Sequence, residues 1–230
     1  MCGATSHRTV GISSGRGDPP NDGDSDVREA EPKDAGLFDA ACAPVGGAEE
    51  APANVAELAN GCTRFVEARY GAALDYTSDT LSLLDQWVRD ARRENEAKPE
   101  VARIVEMAGG AYLGEVIRHA FGAHWRTIGE ACDWRLLLSN AYCAFNPIAM
   151  VREAIHLAPA DGWHAHMDLD PADREAIEAR LAALPEVDDD EYYAPSTRFD
   201  VIELVVDALR TTQQARGHAD VRFDPEDYDA

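Results

Sequence analysis

The residues best suited to chemistry lie in the loop from Asp161 to Asp170, where two histidines are separated by a single alanine. In an extended segment, residues two apart point to the same side, so the imidazoles of His164 and His166 would face together. Asp168 would add a carboxylate, and this set of ligands suits a divalent metal ion. Asp168 and Asp170 would otherwise cap the helix that follows. The pattern therefore predicts either an exposed loop or a metal site.

Glu115 is the second candidate, because it falls at the edge of the apolar face of the third predicted helix. A carboxylate buried there must accept a hydrogen bond or pair with a cation. The candidate partners are the guanidinium groups of Arg126 and Arg135 and the indole N–H of Trp125, and Tyr112 lies on the same helix. The pattern favours a buried polar tie between helix and sheet. A catalytic or ligand-binding carboxylate is the alternative.

Other forms of catalysis lack a recognisable motif. The chain contains no Gly-x-Ser-x-Gly motif and neither of the glycine-rich motifs that cradle nucleotide phosphates. Its five cysteines form no Cys-x-x-Cys pair. Cys132 and Cys143 fall in predicted strands, where a free cysteine usually acts as a small hydrophobic residue. We therefore expect no cofactor, apart from the divalent metal that the histidine loop could hold.

The charge of the chain limits its partners. The chain carries 43 acidic residues against 21 lysines and arginines, a formal net charge of −22 over 230 residues. This charge would repel the phosphates of DNA or RNA, and it suits a basic protein partner. No run approaches the roughly 18 apolar residues of a membrane span, and the first residues lack the pattern of a signal peptide. We expect a cytoplasmic protein without a nucleic-acid or membrane partner.

The hydrophobic pattern divides the chain into three parts. Residues 1–53 are rich in glycine, proline and acidic residues and lack any regular period, which predicts a disordered acidic tail. Residues 54–216 form the expected domain, and residues 217–230 form a second acidic tail. The domain is predicted to contain helices over 54–121, a three-stranded antiparallel meander over 124–145 and further helices over 147–216. The expected fold is therefore α+β, with about six helices on one small sheet.

Short local signals mark the ends of several helices. Asn146-Pro147 and Asp170-Pro171 each place a capping side chain before a proline that suits the first helical turn. Thr197 is the expected cap of the final helix. The spacing of apolar residues over 201–206 favours a helix, although this valine-rich stretch would also fit a strand. The acidic run from Glu186 to Glu191 predicts a solvated linker.

One stretch of the third predicted helix has a distinctive sequence, since residues 110–116 are Gly-Ala-Tyr-Leu-Gly-Glu-Val. Leu74-Asp75-Tyr76 precedes it, and Gly122, Trp125 and Asn146-Pro147 follow it. This order of features, within residues 63–157, resembles a family of uncharacterised bacterial proteins. The resemblance implies a common fold and no assigned reaction, so no catalytic role follows from it.

The two glycines of this motif have a physical interpretation of their own. Gly110 and Gly114 lie four residues apart, on the same side of one helix. Glycine lowers helix stability by about 1 kcal/mol relative to alanine, so a compensating contact is expected. We expect that the glycines let another backbone pack closely against this helix.

Two classes of function fit these observations. The acidic charge and the lack of an assembled catalytic motif favour a non-enzymatic interaction module, such as an adaptor or an inhibitor of a basic partner. A small enzyme is the alternative, because catalytic residues that are distant in sequence cannot be recognised in this way. Such an enzyme, for example a metal-dependent hydrolase, would use Glu115 or the loop of His164 and His166.

Overall fold

The computed structural model describes residues 50–94 and 97–229. The predicted disordered tail over 1–53 lies outside these residues except at its end, where Ala53 already begins the first helix. Within the described residues there are seven α-helices and a small antiparallel sheet, so the predicted α+β class is confirmed. No helix in these ranges is both long enough and apolar enough to cross a bilayer.

Of the seven helices in the described residues, three precede the first strand along the chain and four follow the third strand. They are α1 (Ala53–Tyr70), α2 (Leu81–Glu94), α3 (Pro99–Phe121), α4 (Pro147–His156), α5 (Pro171–Leu181), α6 (Asp189–Tyr192) and α7 (Pro195–Ala215). The strands are β1 (Ala123–Arg126), β2 (Arg135–Leu138), β3 (Cys143–Phe145) and β4 (Asp168–Leu169), each antiparallel to its neighbour in the order β1-β2-β3-β4.

The strand β4 corrects the prediction of a three-stranded meander. It pairs with β3 through Cys143 opposite Leu169 and Ala144 opposite Asp168. A strand of two residues is too short to show an alternating pattern, so only its partner reveals it. The sheet therefore extends to the loop that contains the two histidines.

The centre of the fold is α3, which is buried almost without interruption from Ala108 to Arg118. A Cβ atom at Gly110 would lie 2.3 Å from the Cα of Ile148, so α4 packs against bare backbone there. A Cβ atom at Gly114 would lie 2.1 Å from Cζ2 of Trp125. The close backbone approach that was expected at both glycines thus occurs at Gly110, whereas an indole ring fills the space at Gly114.

The helix starts show which local signals are reliable. The side chain of Asn146 accepts hydrogen bonds from the backbone N–H groups of Ile148 and Ala149, and that of Asp170 accepts one from Ala172. Both predicted caps are therefore confirmed. The expected cap at Thr197 is wrong, because α7 begins two residues earlier at Pro195. Residues 201–206 lie within α7 and are helical, as their spacing favours.

The acidic segment between α5 and α7 is more ordered than a solvated linker. Residues 189–192 form the short helix α6, and the side chain of Asp188 accepts a hydrogen bond from the backbone N–H of Glu191. Asp190 pairs with both Arg89 and Arg92 of α2. The partners in these ion pairs are about a hundred residues apart in sequence, and the pairs hold the segment against α2. The composition of the segment alone does not reveal this contact.

The expected acidic tail over 217–230 is also corrected by the structure. The hydroxyl of Tyr228 donates to the backbone carbonyl of Leu138 at 2.7 Å and accepts from the backbone N–H of Cys143 at 3.1 Å. Its ring stacks on Tyr142, with the centroids 4.5 Å apart. The segment that contains Tyr228 therefore packs on the sheet, and the partners of this tyrosine lie far away in sequence.

Candidate functional site

Glu115 is 5% exposed, and its carboxylate is held by donors of the same protein. Trp125 donates its indole N–H to Oε1 at 2.8 Å, and Arg118 donates to both carboxylate oxygens, with Nη2 to Oε2 at 2.8 Å. The indole was among the expected partners. The expected pairing with Arg126 or Arg135 is wrong, because Arg118, one turn further along α3, already neutralises the carboxylate.

Arg126 and Arg135 have other contacts. Arg126 donates to the backbone carbonyl of Pro225 at 2.6 Å and pairs with Asp229 at 2.9 Å, so it helps to hold the end of the chain. Arg135 donates through Nη1 to the carbonyls of Cys132 and Trp134. Within the described residues, neither guanidinium donates a hydrogen bond to Glu115. The spacing of three residues between Glu115 and Arg118 is the sequence signal that would have identified the true partner.

The surroundings of Glu115 are polar and closely packed. The hydroxyl of Tyr112 accepts from the backbone N–H of Tyr76 at 3.0 Å and hydrogen-bonds to the hydroxyl of Thr80 at 2.9 Å. The ring of Tyr76 lies edge-on to His119, and burial together with the neighbouring Arg118 lowers the pKa of His119. Tyr76 has a φ of 64°, a strained conformation for a residue other than glycine.

This arrangement offers little room for a substrate. The cavity beside Arg118 and Trp125 has a volume of about 60 Å³, which suits a few water molecules at most. Two other buried glutamates, Glu106 and Glu153, are paired with Arg152 and Arg198 in a similar way. Paired buried glutamates are thus a repeated means of joining elements in this fold, and the geometry at Glu115 supports a structural tie.

The loop of His164 and His166 does not have the extended geometry that the metal hypothesis requires. His164 has a φ of 55°, and its carbonyl accepts a hydrogen bond from the backbone N–H of Asn146 at 2.9 Å. Asp168 lies in β4 and pairs with Arg174 at 3.6 Å. Within residues 50–94 and 97–229, no three His, Cys, Asp or Glu side chains are close enough to hold a metal ion. The structure therefore gives the metal site no third ligand.

The two cysteines that lie in the core are poorly suited to nucleophilic chemistry. Cys62 and Cys143 are buried, and burial raises the pKa of both thiols, so neither forms a reactive thiolate at neutral pH. Cys143 lies in β3 and in the core, as predicted. The predicted position of Cys132 in a strand is wrong, because this residue lies in a 3₁₀ turn over Ala131–Asp133 and is half-buried.

Four of the predicted residues meet at one polar pocket of about 460 Å³. Arg135, His164, His166 and Asp168 all line it, together with Asp161. Both imidazoles belong to residues that are largely exposed. The sequence identified these residues as two separate candidates, and the pairing of β3 with β4 brings them to one place.

A larger apolar groove lies on the other side of the same loop and has a volume of about 670 Å³. Met150 of α4 and Ile202 of α7 contribute to its lining, together with side chains of the loop and of the segment between α5 and α7. Three large apolar side chains of this groove are unusually exposed: Leu184 at 39%, Val187 at 40% and Tyr192 at 46%. Sequence patterns missed the groove because its walls come from four helices that are separate in the chain.

Arg198 anchors one side of the groove. It donates from Nη2 to the buried carboxylate of Glu153 at 2.9 Å, and its guanidinium carbon lies 4.5 Å from the centroid of the Tyr192 ring. A guanidinium over an aromatic face is attracted by the ring quadrupole, which holds Tyr192 at the groove although its side chain is exposed. Arg198 therefore positions the ring of Tyr192 at the wall of the groove.

One carboxylate lines the groove, and two more belong to the segment that forms this wall. Glu186 lines it, and Asp189 and Glu191 lie on α6 beside Tyr192. All three are exposed, and in the described part of the chain none has a basic side chain within 4.0 Å. Their neighbour Asp190 differs, since Arg89 and Arg92 neutralise it. The segment from Glu186 to Glu191, which contributes to this wall, thus carries negative charge that no basic side chain neutralises at these three residues.

Comparisons with protein-family models, curated proteins and solved structures found no significant match to this chain. The family resemblance of the Gly-Ala-Tyr-Leu-Gly-Glu-Val helix therefore stays a prediction, and the function has to be argued from the geometry.

Proposed function

We propose that the protein is a non-enzymatic interaction module, an adaptor or an inhibitor, that binds a basic amphipathic segment of a partner protein in the apolar groove. The observation that carries this proposal is an apolar groove lined by the unpaired carboxylate of Glu186, with the unpaired carboxylates of Asp189 and Glu191 on the adjoining α6. Exposed apolar surface in a defined groove is typical of a binding site, because soluble proteins rarely leave such surface uncovered. The net charge of −22 would attract a basic partner from a distance.

The two parts of the groove would contribute differently to binding. Burying one leucine-sized side chain contributes about 1.5–3 kcal/mol, whereas an exposed ion pair contributes about 0.2–1 kcal/mol. Apolar contacts with Leu184, Val187 and Tyr192 would therefore determine most of the affinity. The carboxylates of Glu186, Asp189 and Glu191 would accelerate association and select against acidic partners.

A labelled model peptide tests this proposal directly. The peptide places leucines on one helical face and lysines on the other, and a scrambled peptide of the same composition is its control. Fluorescence polarisation would measure binding to the wild type, to Leu184→Asp in the groove and to Ile128→Asp, an exposed apolar position that does not line it. Both substitutions add the same negative charge, so they separate groove contacts from general attraction.

We expect the amphipathic peptide to bind the wild type and Ile128→Asp with similar affinity, and Leu184→Asp about tenfold more weakly or worse. Equal binding of the scrambled peptide would show that charge alone attracts it. Equal affinity of the two aspartate variants would place the contact somewhere other than the groove. Either result contradicts the proposal.

A further inference from the structure

Arg135 is unusual among the arginines that the structure describes. Six of them have no carboxylate within 4.0 Å: Arg64, Arg103, Arg135, Arg180, Arg210 and Arg222. Five of these six are exposed to solvent, whereas Arg135 is partly buried. A partly desolvated cation without a carboxylate in direct contact is unexpected in a chain with a net charge of −22, although Asp133 and Asp168 lie near enough to act on it electrostatically.

The hydrogen bonds of Arg135 leave part of its guanidinium group available. Its Nη1 donates hydrogen bonds to the backbone carbonyls of Cys132 at 3.2 Å and Trp134 at 2.8 Å. These bonds hold the guanidinium in place. Among the described residues, only Trp134 Nε1 and Arg198 Nε are side-chain nitrogen or oxygen atoms that are fully buried and lack a hydrogen-bond partner. Because no nitrogen of Arg135 belongs to this group, its remaining N–H groups are in contact with solvent. The guanidinium is therefore positioned and has donors left to offer.

The polar pocket adds further groups around this cation. Arg135, His164 and His166 line a space of about 460 Å³, with Asp161 and Asp168 also on its surface. The loop is held there by the hydrogen bond from the backbone N–H of Asn146 to the carbonyl of His164, a residue in the left-handed region. Strained backbone of this kind persists only when the surroundings enforce it, and it is often found where a side chain has to be presented.

We infer that this pocket binds a small molecule that carries an oxyanion, a carboxylate or a phosphate, next to an amine. The fork of N–H donors on Arg135 matches the geometry of either oxyanion, and the imidazoles of His164 and His166 supply further polar contacts. The carboxylates of Asp161 and Asp168 disfavour a bare anion and attract the amine. This inference does not rest on the proposed function, although His166 lines both the pocket and the groove.

Two zwitterionic probes distinguish the possible oxyanions: L-serine, which has a carboxylate beside its amine, and phosphoethanolamine, which has a phosphate. Ethanolamine, which lacks an oxyanion, is the control ligand. Titrations followed by NMR of the histidine side chains would use the wild type, Arg135→Gln, Arg135→Lys and Arg103→Gln. Arg103 is exposed, has no ion pair and lies on α3, so its substitution removes the same charge away from the pocket.

We expect at least one zwitterion to shift the signals of His164 and His166 saturably in the wild type and in Arg103→Gln. Binding should weaken about tenfold or more in Arg135→Gln, and less in Arg135→Lys, which keeps the charge and loses the fork. The responding probe identifies the oxyanion. The absence of a saturable shift with either probe, or an equal response to ethanolamine, would overturn the inference. Unchanged binding by Arg135→Gln, with its fold verified by thermal unfolding, would overturn it too.

Discussion

Replacing Glu115 by alanine tests the best-defined polar contact of the fold. The substitution removes the acceptor of the Trp125 indole and of two nitrogens of Arg118, whose side chain is only 8% exposed. Removing one partner of a buried ion pair leaves the other charge uncompensated, which costs about 3–5 kcal/mol. We therefore expect the free energy of unfolding of Glu115→Ala to fall by about this amount.

The variant Glu115→Gln separates the contribution of the charge from that of the hydrogen bond with Trp125. Glutamine keeps an oxygen that can accept from the indole of Trp125 but removes the negative charge that pairs with Arg118. The loss of stability should therefore lie between zero and that of Glu115→Ala. Glu203→Ala is the matched control, because Glu203 is an exposed helical glutamate without an ion pair in the described residues. The free energy of unfolding of this variant should fall by no more than about 0.5 kcal/mol.

Urea unfolding followed by tryptophan fluorescence would measure all three variants. The comparison relies on equal denaturant slopes, since a changed slope would indicate a change in the denatured state rather than in this contact. A midpoint for Glu115→Ala equal to that of Glu203→Ala would refute the reasoning. It would show that the ion pair with Arg118 contributes no net stability.

Two further outcomes are expected. Tyr228→Phe should lower the free energy of unfolding by about 1–2 kcal/mol, because its hydroxyl binds backbone groups of the sheet. Tyr192→Phe is the control and should change the free energy of unfolding little, because the hydroxyl of Tyr192 makes no hydrogen bond within the described residues. Equal effects of the two substitutions in urea unfolding would contradict the docking of the chain end. Burial and Arg118 lower the pKa of His119 while Glu115 opposes them, so the folded state binds fewer protons than the unfolded state and stability should decline as the pH falls through about 6.5. His119→Gln should weaken this decline in thermal unfolding at a series of pH values, and identical pH profiles would argue against it.

The features that could be predicted from the sequence are those set by neighbouring residues. Asn146 and Asp170 cap helices through backbone groups two or three residues away, so their position before a proline was sufficient. Helical spacing over 201–206 likewise outweighed the strand preference of valine. The burial of Glu115 followed from its place on the helical face.

Features that depend on distant residues could not be predicted in this way. The strand β4 exists only because Cys143 and Ala144 pair with it, and Tyr228 is ordered by groups about 85–90 residues earlier in the chain. The groove requires α4, α5, α6 and α7 to come together. Arg135 is only one of three partners that the sequence offers to Glu115, because the sequence does not show on which side of the sheet each arginine lies.

The contact between Gly114 and Trp125 also restricts the order in which this sequence can change during evolution. A Cβ atom at position 114 would overlap the indole ring, so a larger residue there requires a smaller one at position 125 first. Loss of the indole, however, removes a donor from the buried carboxylate of Glu115. Positions 114, 115 and 125 are thus expected to covary, and divergent sequences with this fold should keep all three residues or have replaced them together.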